Sequence, residues 1–345
     1  MTTAPTPALA PLAISLGDPA GVGPELIAAA WYAREVRSLR PFFAVGGARL
    51  LAAAAEARGL KVPVVPVASP AEAAEVFDKA LPVLGAIDGD YTPGAPCREG
   101  AALALASLSE AARLTVAGEA GAIVTGPIAK SRLAEVGFAH PGQTEFVAAA
   151  CGVGPEDAVM MLAGPNLRTV PVTVHVALSA VPGLLSAELI ARRSRIVARA
   201  LTRDFGLARP RLAIAALNPH AGEDGRMGME DTTIIAPAIA ALVAEGLAAS
   251  GPHPADALFA PRARTTYDVA ICMYHDQALI PLKALDFDNG VNVTLGLPVI
   301  RTSPDHGTAF AIAGKGQADA GATIAAIRLA GDCALRRAAA QRVPA

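Results

Sequence analysis

Residues 268–316 read DVAICMYHDQALIPLKALDFDNGVNVTLGLPVIRTSPDHGTAFAIAGKG, and the fold turns on how this stretch is understood. Asp268 to Met273 carries an unbroken apolar run, the mark of a strand buried on both faces and so of a sheet covered by helices on each side. The run stops at Tyr274-His275-Asp276-Gln277, where four polar side chains arrive together. Open α/β sheets place their ligands at the carboxyl ends of such strands. Taken alone, His275 is as well explained as a satisfied core histidine, so its meaning depends on the rest of the chain.

Working outward, the same rhythm recurs. Leu12 to Leu16, Phe42 to Val45, Val64 to Val67, Ala122 to Val124, Val159 to Leu162, Thr169 to Val176 and Leu212 to Leu217 read as short strands. Val64 to Val67 belongs at a sheet edge, because Pro66 has no N–H to donate. Between the strands lie helices over about 25–40, 71–81, 101–116, 187–205, 233–248 and 322–337, and Gly85 to Pro96 is a surface loop. Pro141-Gly142 breaks the chain ahead of a short helix with Thr144 as its expected N-cap. This alternation predicts a largely parallel α/β sheet.

The chain has 345 residues, 53% of them hydrophobic and 17% charged, with a formal net charge of -2. That is the composition of an ordered globular protein long enough for about two domains. It provides no basic field for nucleic acid or an anionic membrane. Arg192, Arg193, Arg195, Arg199 and Arg203 share one helix, but Glu188 and Asp204 flank them, so a solvated face is expected. Four scattered cysteines form no CxxC pair and fit a reducing cytoplasm. The run from Thr169 to Ala187 approaches the roughly 20 residues of a membrane span, but Pro171, His175, Ser179 and Pro182 interrupt it. The opening MTTAPTPALAPLA lacks a basic n-region and reads as a loose tail.

Three of the six histidines, His175, His220 and His275, sit at or just beyond the ends of expected buried strands. If those strands share one sheet edge, three imidazoles converge, which is the ligand set of a catalytic divalent ion with one position open. Separate structural roles for the three remain the alternative. Asp276 and Asp256 are placed to orient ring nitrogens. Lys283, Asn292 and Arg301 follow on successive segments and suit a small, multiply anionic substrate. The turn Gly17-Asp18-Pro19-Ala20-Gly21-Val22-Gly23-Pro24 presents backbone N–H groups as an anion-binding turn does, although it is not a GxGxxG motif. His306, in Ser303-Pro304-Asp305-His306-Gly307-Thr308, reads as part of a loop that holds a cofactor.

SLGDPAGVGPE, TGPIAK, LNPHAGEDG, MYHDQ and GVNVTLGLPVIRTSPDHGTA together resemble the 4-hydroxythreonine-4-phosphate dehydrogenase family of pyridoxal phosphate biosynthesis, from Ile14 to about Ala330. A more distant resemblance is to isocitrate and isopropylmalate dehydrogenases, through Gly17 to Glu25 and Ser303 to Gly316. The resemblance implies an α/β fold of two lobes with largely parallel sheets and helices on both faces. Residues 1–12 would be a flexible tail, 13–133 plus 295–345 a cofactor lobe and 134–294 a metal and dimer lobe, with the active site in the cleft. It implies one divalent cation per subunit (zinc, magnesium or cobalt) on His175, His220 and His275. It implies substrate contacts from Gln143, Thr144, Lys283, Asn292 and Arg301, catalytic roles for Lys283 and Asp276, and support from Asp256. NAD or NADP would lie on Ser303, Asp305, His306, Gly307, Gly314 and Gly316.

The implied reaction oxidises 4-phosphooxy-L-threonine at its C3 hydroxyl, and the resulting β-keto acid decarboxylates to 3-amino-2-oxopropyl phosphate. A cytoplasmic homodimer would carry it out, with residues of both chains in each site and neither nucleic acid nor membrane as partner. One departure stands out: Gln143 occupies a position that is usually histidine in the family, and glutamine hydrogen-bonds without carrying charge or moving a proton. That leaves D-threonate or D-erythronate 4-phosphate as alternative substrates, and a phosphate acyltransferase on a related fold as a further reading. Lys283 serves either as proton acceptor or as phosphate ligand.

Overall fold

A computed structural model describes residues 9–340 of the chain. Residues 1–8 of the expected tail lie outside the described residues, and Leu12 at its end already belongs to the first strand. The chain divides into two compact units, Met1–Pro155 with Leu297–Ala345, and Glu156–Gly296. Residues 134–155, which the sequence reading gives to the second lobe, therefore belong to unit 1. The reason is local: the helix Gln143–Ala150 packs on the helix Arg98–Val116, and the Gln143 amide donates to the carbonyl of Gly126 at 3.0 Å.

Along the chain the strands are β1 (Leu12–Ser15), β2 (Phe42–Val45), β3 (Val64–Val67), β4 (Leu81–Leu84) and β5 (Ile123–Thr125). Unit 2 contributes β6 (Val159–Ala163), β7 (Arg168–Pro171), β8 (Arg211–Ala215), β9 (Ala248–His253), β10 (Val269–Cys272) and β11 (Val291–Leu295). On its return to unit 1 the chain adds β12 (Arg301–Pro304). In unit 1 the order is β3-β4-β2-β1-β5-β12, and every pair is parallel. Every residue of β1, β2, β4 and β5 is buried, so the alternation of a one-sided strand is missing and the apolar runs are continuous.

Unit 2 runs β11-β6-β7-β10-β8-β9. Here β7, β10, β8 and β9 are parallel, while β6 is antiparallel to both β7 and β11. The helix Ala187–Phe205 forms where the sequence places it. Ser186 caps its first turn by accepting from the N–H of Leu189 at 3.1 Å, and Gly206 closes it in the left-handed conformation. Ile190, Ser194, Val197, Leu201 and Phe205 face inward. The arginines opposite are used in ion pairs, Arg192 with Asp157 and Arg195 with Glu245, as expected of a solvated face. Among the described residues no helix is long and apolar enough to cross a membrane.

One turn of unit 1 depends on a missing side chain. Gly17 has φ +71°, and a Cβ there would lie 2.5 Å from the carbonyl oxygen of Pro127. The two backbones approach because Asp18 N–H donates to that same oxygen at 2.8 Å. Gly59 has the same φ of +71°, but no atom lies within 4 Å of the place a Cβ would take there. Gly59→Ala should therefore cost about 1 kcal/mol for the left-handed backbone, and Gly17→Ala about 3 kcal/mol once the clash is added. Denaturant melts of the two variants would measure the gap; equal midpoints would refute the close-approach account.

Candidate functional site

In unit 2 the site begins with strand register. Cys272 of β10 stands opposite Pro171 of β7, and the pairing continues past both strands. Val172 N–H donates to Cys272 O at 2.7 Å, and Thr173 donates to Met273 O through both its N–H (3.2 Å) and its hydroxyl (2.8 Å). Two chain segments leave the sheet together and deliver His175 and His275 to one place, with ring centroids 5.7 Å apart and planes at 42°. The expected strand to Val176 is thus cut short at Pro171, because the chain must turn for His175, whose φ is +53°.

His275 opens the helix His275–Asp286. Its Nδ1 lies 2.7 Å from Asp276 Oδ1, so the ring donates Nδ1–H to the carboxylate and keeps its lone pair on Nε2. Gln277 locks the start of that helix: it accepts from Met273 N–H at 2.7 Å and donates to Ala216 O at 2.7 Å, tying the end of β10 to the end of β8. A cavity of about 220 Å³ is lined by Thr173, His175, Val181, Tyr274, His275 and Asp276.

His220 follows β8 in an unusual turn. His220, Ala221, Gly222, Glu223, Asp224 and Gly225 all have positive φ, between 42° and 89°. Four of the six carry a side chain, and the left-handed conformation costs such residues on the order of 1 kcal/mol each. Backbone strain of that size persists only where surrounding contacts impose it. In a single copy of the chain the described residues contain no group of three His, Cys, Asp or Glu close enough to hold a metal ion. The structure thus brings His175 and His275 together and leaves His220 outside a three-ligand group.

For a divalent cation the donor set fits: two adjacent imidazoles, one with its tautomer fixed by a carboxylate, are the neutral nitrogen ligands that zinc or cobalt prefers. Asp256, expected to assist, is exposed on the short helix Ala255–Leu258. Lys283 is half-buried on the helix that His275 begins, and Asn292 lies on β11 with its Oδ1 buried and without a hydrogen-bond partner.

Unit 1 holds a buried guanidinium. Arg301, at the start of β12, is 4% exposed, and its guanidinium donates to the hydroxyls of Thr125 (2.8 Å) and Thr144 (3.3 Å). Burial pushes it down to about 10, with the Glu145 carboxylate pulling the other way, so it stays a cation at neutral pH. Thr144 is not the N-cap; Gly142 holds that position, and Thr144 sits in the first turn of Gln143–Ala150 with its hydroxyl free to meet Arg301. The Gln143 Nε2 donates to Gly126 O, which leaves its buried Oε1 as an acceptor without a partner.

The glycine-rich turn and the loop after β12 also meet in unit 1. Val22 N–H donates to Thr308 O at 2.9 Å, and a Cβ on Gly21 would come within 2.7 Å of the same oxygen. His306 Nδ1 lies 3.0 Å from Gly307 O, so that nitrogen carries the proton and Nε2, buried and without a partner, is an acceptor. Gly307 and Gly316 have open space where a Cβ would stand. An acceptor suited to an adenine amine beside open backbone fits a dinucleotide. Glu25 and Arg58 stiffen this loop: their ion pair (3.2 Å) binds Gly314 N–H through Glu25 and Ala318 O through Arg58. Sequence reasoning gave no separate role to Gln277, Asp231, Glu25 or Arg58; Gln277 and Glu25 stand inside motifs already noticed, whereas Asp231 and Arg58 carry no such mark.

Comparison with known proteins shows the family. Residues 38–330 match the family model described as pyridoxal phosphate biosynthetic protein PdxA. A 4-hydroxythreonine-4-phosphate dehydrogenase of Erythrobacter litoralis is 63% identical over 329 residues, covering 95% of this chain and 98% of its own. One from Zymomonas mobilis is 52% identical over 330 residues, covering 95% and 97%. The crystal structure of 4-hydroxythreonine-4-phosphate dehydrogenase from Klebsiella pneumoniae superposes with a TM-score of 0.82 at 36% identity, covering 94% of this chain and 99% of that one.

If Arg301 is the anion grip, Arg301→Gln should weaken binding of a phosphate monoester by about 2 kcal/mol, roughly 30-fold, which is the size of one charge-assisted hydrogen bond. Calorimetry would measure it, and unchanged affinity would assign the grip elsewhere.

Proposed function

The chain belongs to the PdxA family of pyridoxal phosphate biosynthesis, an oxidoreductase family of 4-hydroxythreonine-4-phosphate dehydrogenases, and from that premise we propose a division of labour among its residues. His175, His220 and His275 hold one divalent cation, and NAD or NADP lies on Ser303, Asp305, His306, Gly307, Gly314 and Gly316. The observation that carries this reading is the contact between the His175 and His275 rings with Asp276 on the His275 Nδ1.

When bound, the cation supplies Lewis-acid polarisation of the C3 hydroxyl and stabilises negative charge during the later decarboxylation. The residues do the rest. Arg301, with the Thr125 and Thr144 hydroxyls, holds the phosphate, for which a planar guanidinium fork is well shaped. Asn292 and Gln143 offer their orphaned oxygens to donors on the substrate. With the phosphate so held, Lys283 is assigned the C3 hydroxyl proton; the nicotinamide, when bound, would supply the hydride acceptor. The β-keto acid produced loses carbon dioxide to give 3-amino-2-oxopropyl phosphate. His306 Nε2 would accept from the adenine amine of a bound dinucleotide, and its Nδ1–H is held by Gly307 O.

The working form is a homodimer in the cytoplasm, with residues of both copies in each site. Apolar side chains exposed in unit 2, among them Leu178 and Val176 beside His175, Met227 and Met229 after His220, and Phe287, support a surface covered by a second copy. A second substrate reading, D-threonate or D-erythronate 4-phosphate, draws support from Gln143, whose free oxygen accepts equally from an ammonium or a hydroxyl.

The test follows nicotinamide reduction with each phosphorylated acid and with added zinc, magnesium or cobalt. Turnover should be greatest with 4-phosphooxy-L-threonine. His220→Ala should lose bound metal and at least 10²-fold in turnover while keeping its circular dichroism. Full turnover by that variant in chelator-treated buffer would eliminate the metal role.

A further inference from the structure

Asp231 is 1% exposed, and none of the roles assigned above uses it. It lies at the start of the π-helical turn Asp231–Ile235, and its carboxylate points back at the segment carrying His220. Oδ1 accepts from Leu217 N–H at 2.8 Å; Oδ2 accepts from Asn218 N–H at 3.2 Å and from the Asn218 side-chain amide at 3.0 Å. Glu230 takes the other hydrogen of that amide at 2.9 Å. Three donors thus fix the two residues that stand just before Pro219 and His220.

The same carboxylate touches the far side of the turn. A Cβ built on Gly222 would lie 3.3 Å from Asp231 Oδ2 and 2.9 Å from Gly228 O. Gly222 O in turn accepts from Gly225 N–H (2.9 Å) and Met227 N–H (3.1 Å), which folds the loop over the acid. Six consecutive residues at positive φ do not hold themselves in place, because each L residue among them relaxes toward the right-handed region when released. Beside the turn's own backbone bonds, the side-chain contacts that fix its entry come from one carboxylate.

We propose that Asp231 is the positioning residue for His220: by holding residues 217–218 and packing under Gly222 it keeps the turn left-handed and so aims the imidazole. This rests on the reading of His220 as a ligand of a divalent cation. The chemistry singles out a carboxylate. An asparagine in either orientation would turn its NH2 toward a backbone N–H, at Leu217 or at Asn218, and two donors cannot share that space. Supporting contacts behind a metal ligand commonly change affinity by 10- to 100-fold.

The test uses the full-length protein loaded with cobalt(II), whose visible spectrum reports ligand number and geometry, with affinity measured by chelator competition. Asp231→Asn should bind cobalt 10- to 100-fold more weakly and show an altered visible band. A residue that only stabilises the fold would lower the melting temperature and leave both readouts at their original values, and that result overturns the proposal. Should Asp231→Asn fail to fold, Asp231→Glu answers the same question, since it keeps a carboxylate and moves it by one methylene away from Leu217 and Asn218. Weakened cobalt binding and a changed band in that variant support the proposal; unchanged values overturn it. His220→Ala separates the two levels. If it binds cobalt as tightly as the parent, the ligand reading itself has failed; if it weakens while Asp231→Asn does not, only the role of Asp231 has.

Discussion

The parallel register between β7 and β10 is the constraint from which the rest of unit 2 follows. With Cys272 opposite Pro171, the segments leaving the two strands stay bonded for two further residues, and Thr173 fastens them twice to Met273 O. A slip of one residue would send His175 and His275 to opposite faces, because side chains alternate along extended backbone. Gln277 extends the constraint to a third strand by bridging Met273 N–H and Ala216 O. His175 and His275 are therefore aligned by hydrogen bonds made at the end of a buried sheet.

Unit 1 solves a different problem. Placing a guanidinium at 4% exposure is costly, and two threonine hydroxyls with a nearby Glu145 offset only part of the lost hydration. A cation held in such a place gains most when an anion arrives, since the desolvation has already been met by the fold. The loop after β12 follows a similar logic: His306 presents a lone pair with no protein donor to satisfy it, while the Glu25 and Arg58 pair fastens the backbone of Gly314 and Ala318. Both arrangements hold polar groups in place at a cost in hydration.

Much of this was legible because buried parallel strands leave a simple trace. Phe42–Val45, Val64–Val67 and the helix Ala187–Phe205 fall at the residues expected from apolar runs, cap residues and periodicity. The failures share a cause. β4 went unassigned between the helix expected to end at Leu81 and the loop expected from Gly85, because Pro82 breaks the apolar run of a strand whose burial comes from its neighbours. β9 is an edge strand of small and polar residues with a bulge opposite β8, and nothing in Ala248–His253 announces it. The helix His275–Asp286 carries Pro281 within it and is imposed by the site it begins. In the candidate site, the histidines were visible as residue types at strand ends, whereas their convergence depends on register, which composition does not encode.

The three histidines also show why a ligand's position and its backbone are separate questions. His275 starts a helix in ordinary geometry, so its aim comes from one carboxylate beside it. His175 and His220 sit at φ +53° and +51°, where an L residue is strained. A strand that simply ran on would carry its side chains up and down in alternation and could not turn an imidazole back over the sheet's edge. The left-handed residues make that reversal within one or two positions, and the stability they cost is recovered from contacts behind them: Met273 O for the first, the Asp231 carboxylate for the second. Strain at these two residues is thus the geometric consequence of reversing the chain within one or two positions of a strand's end.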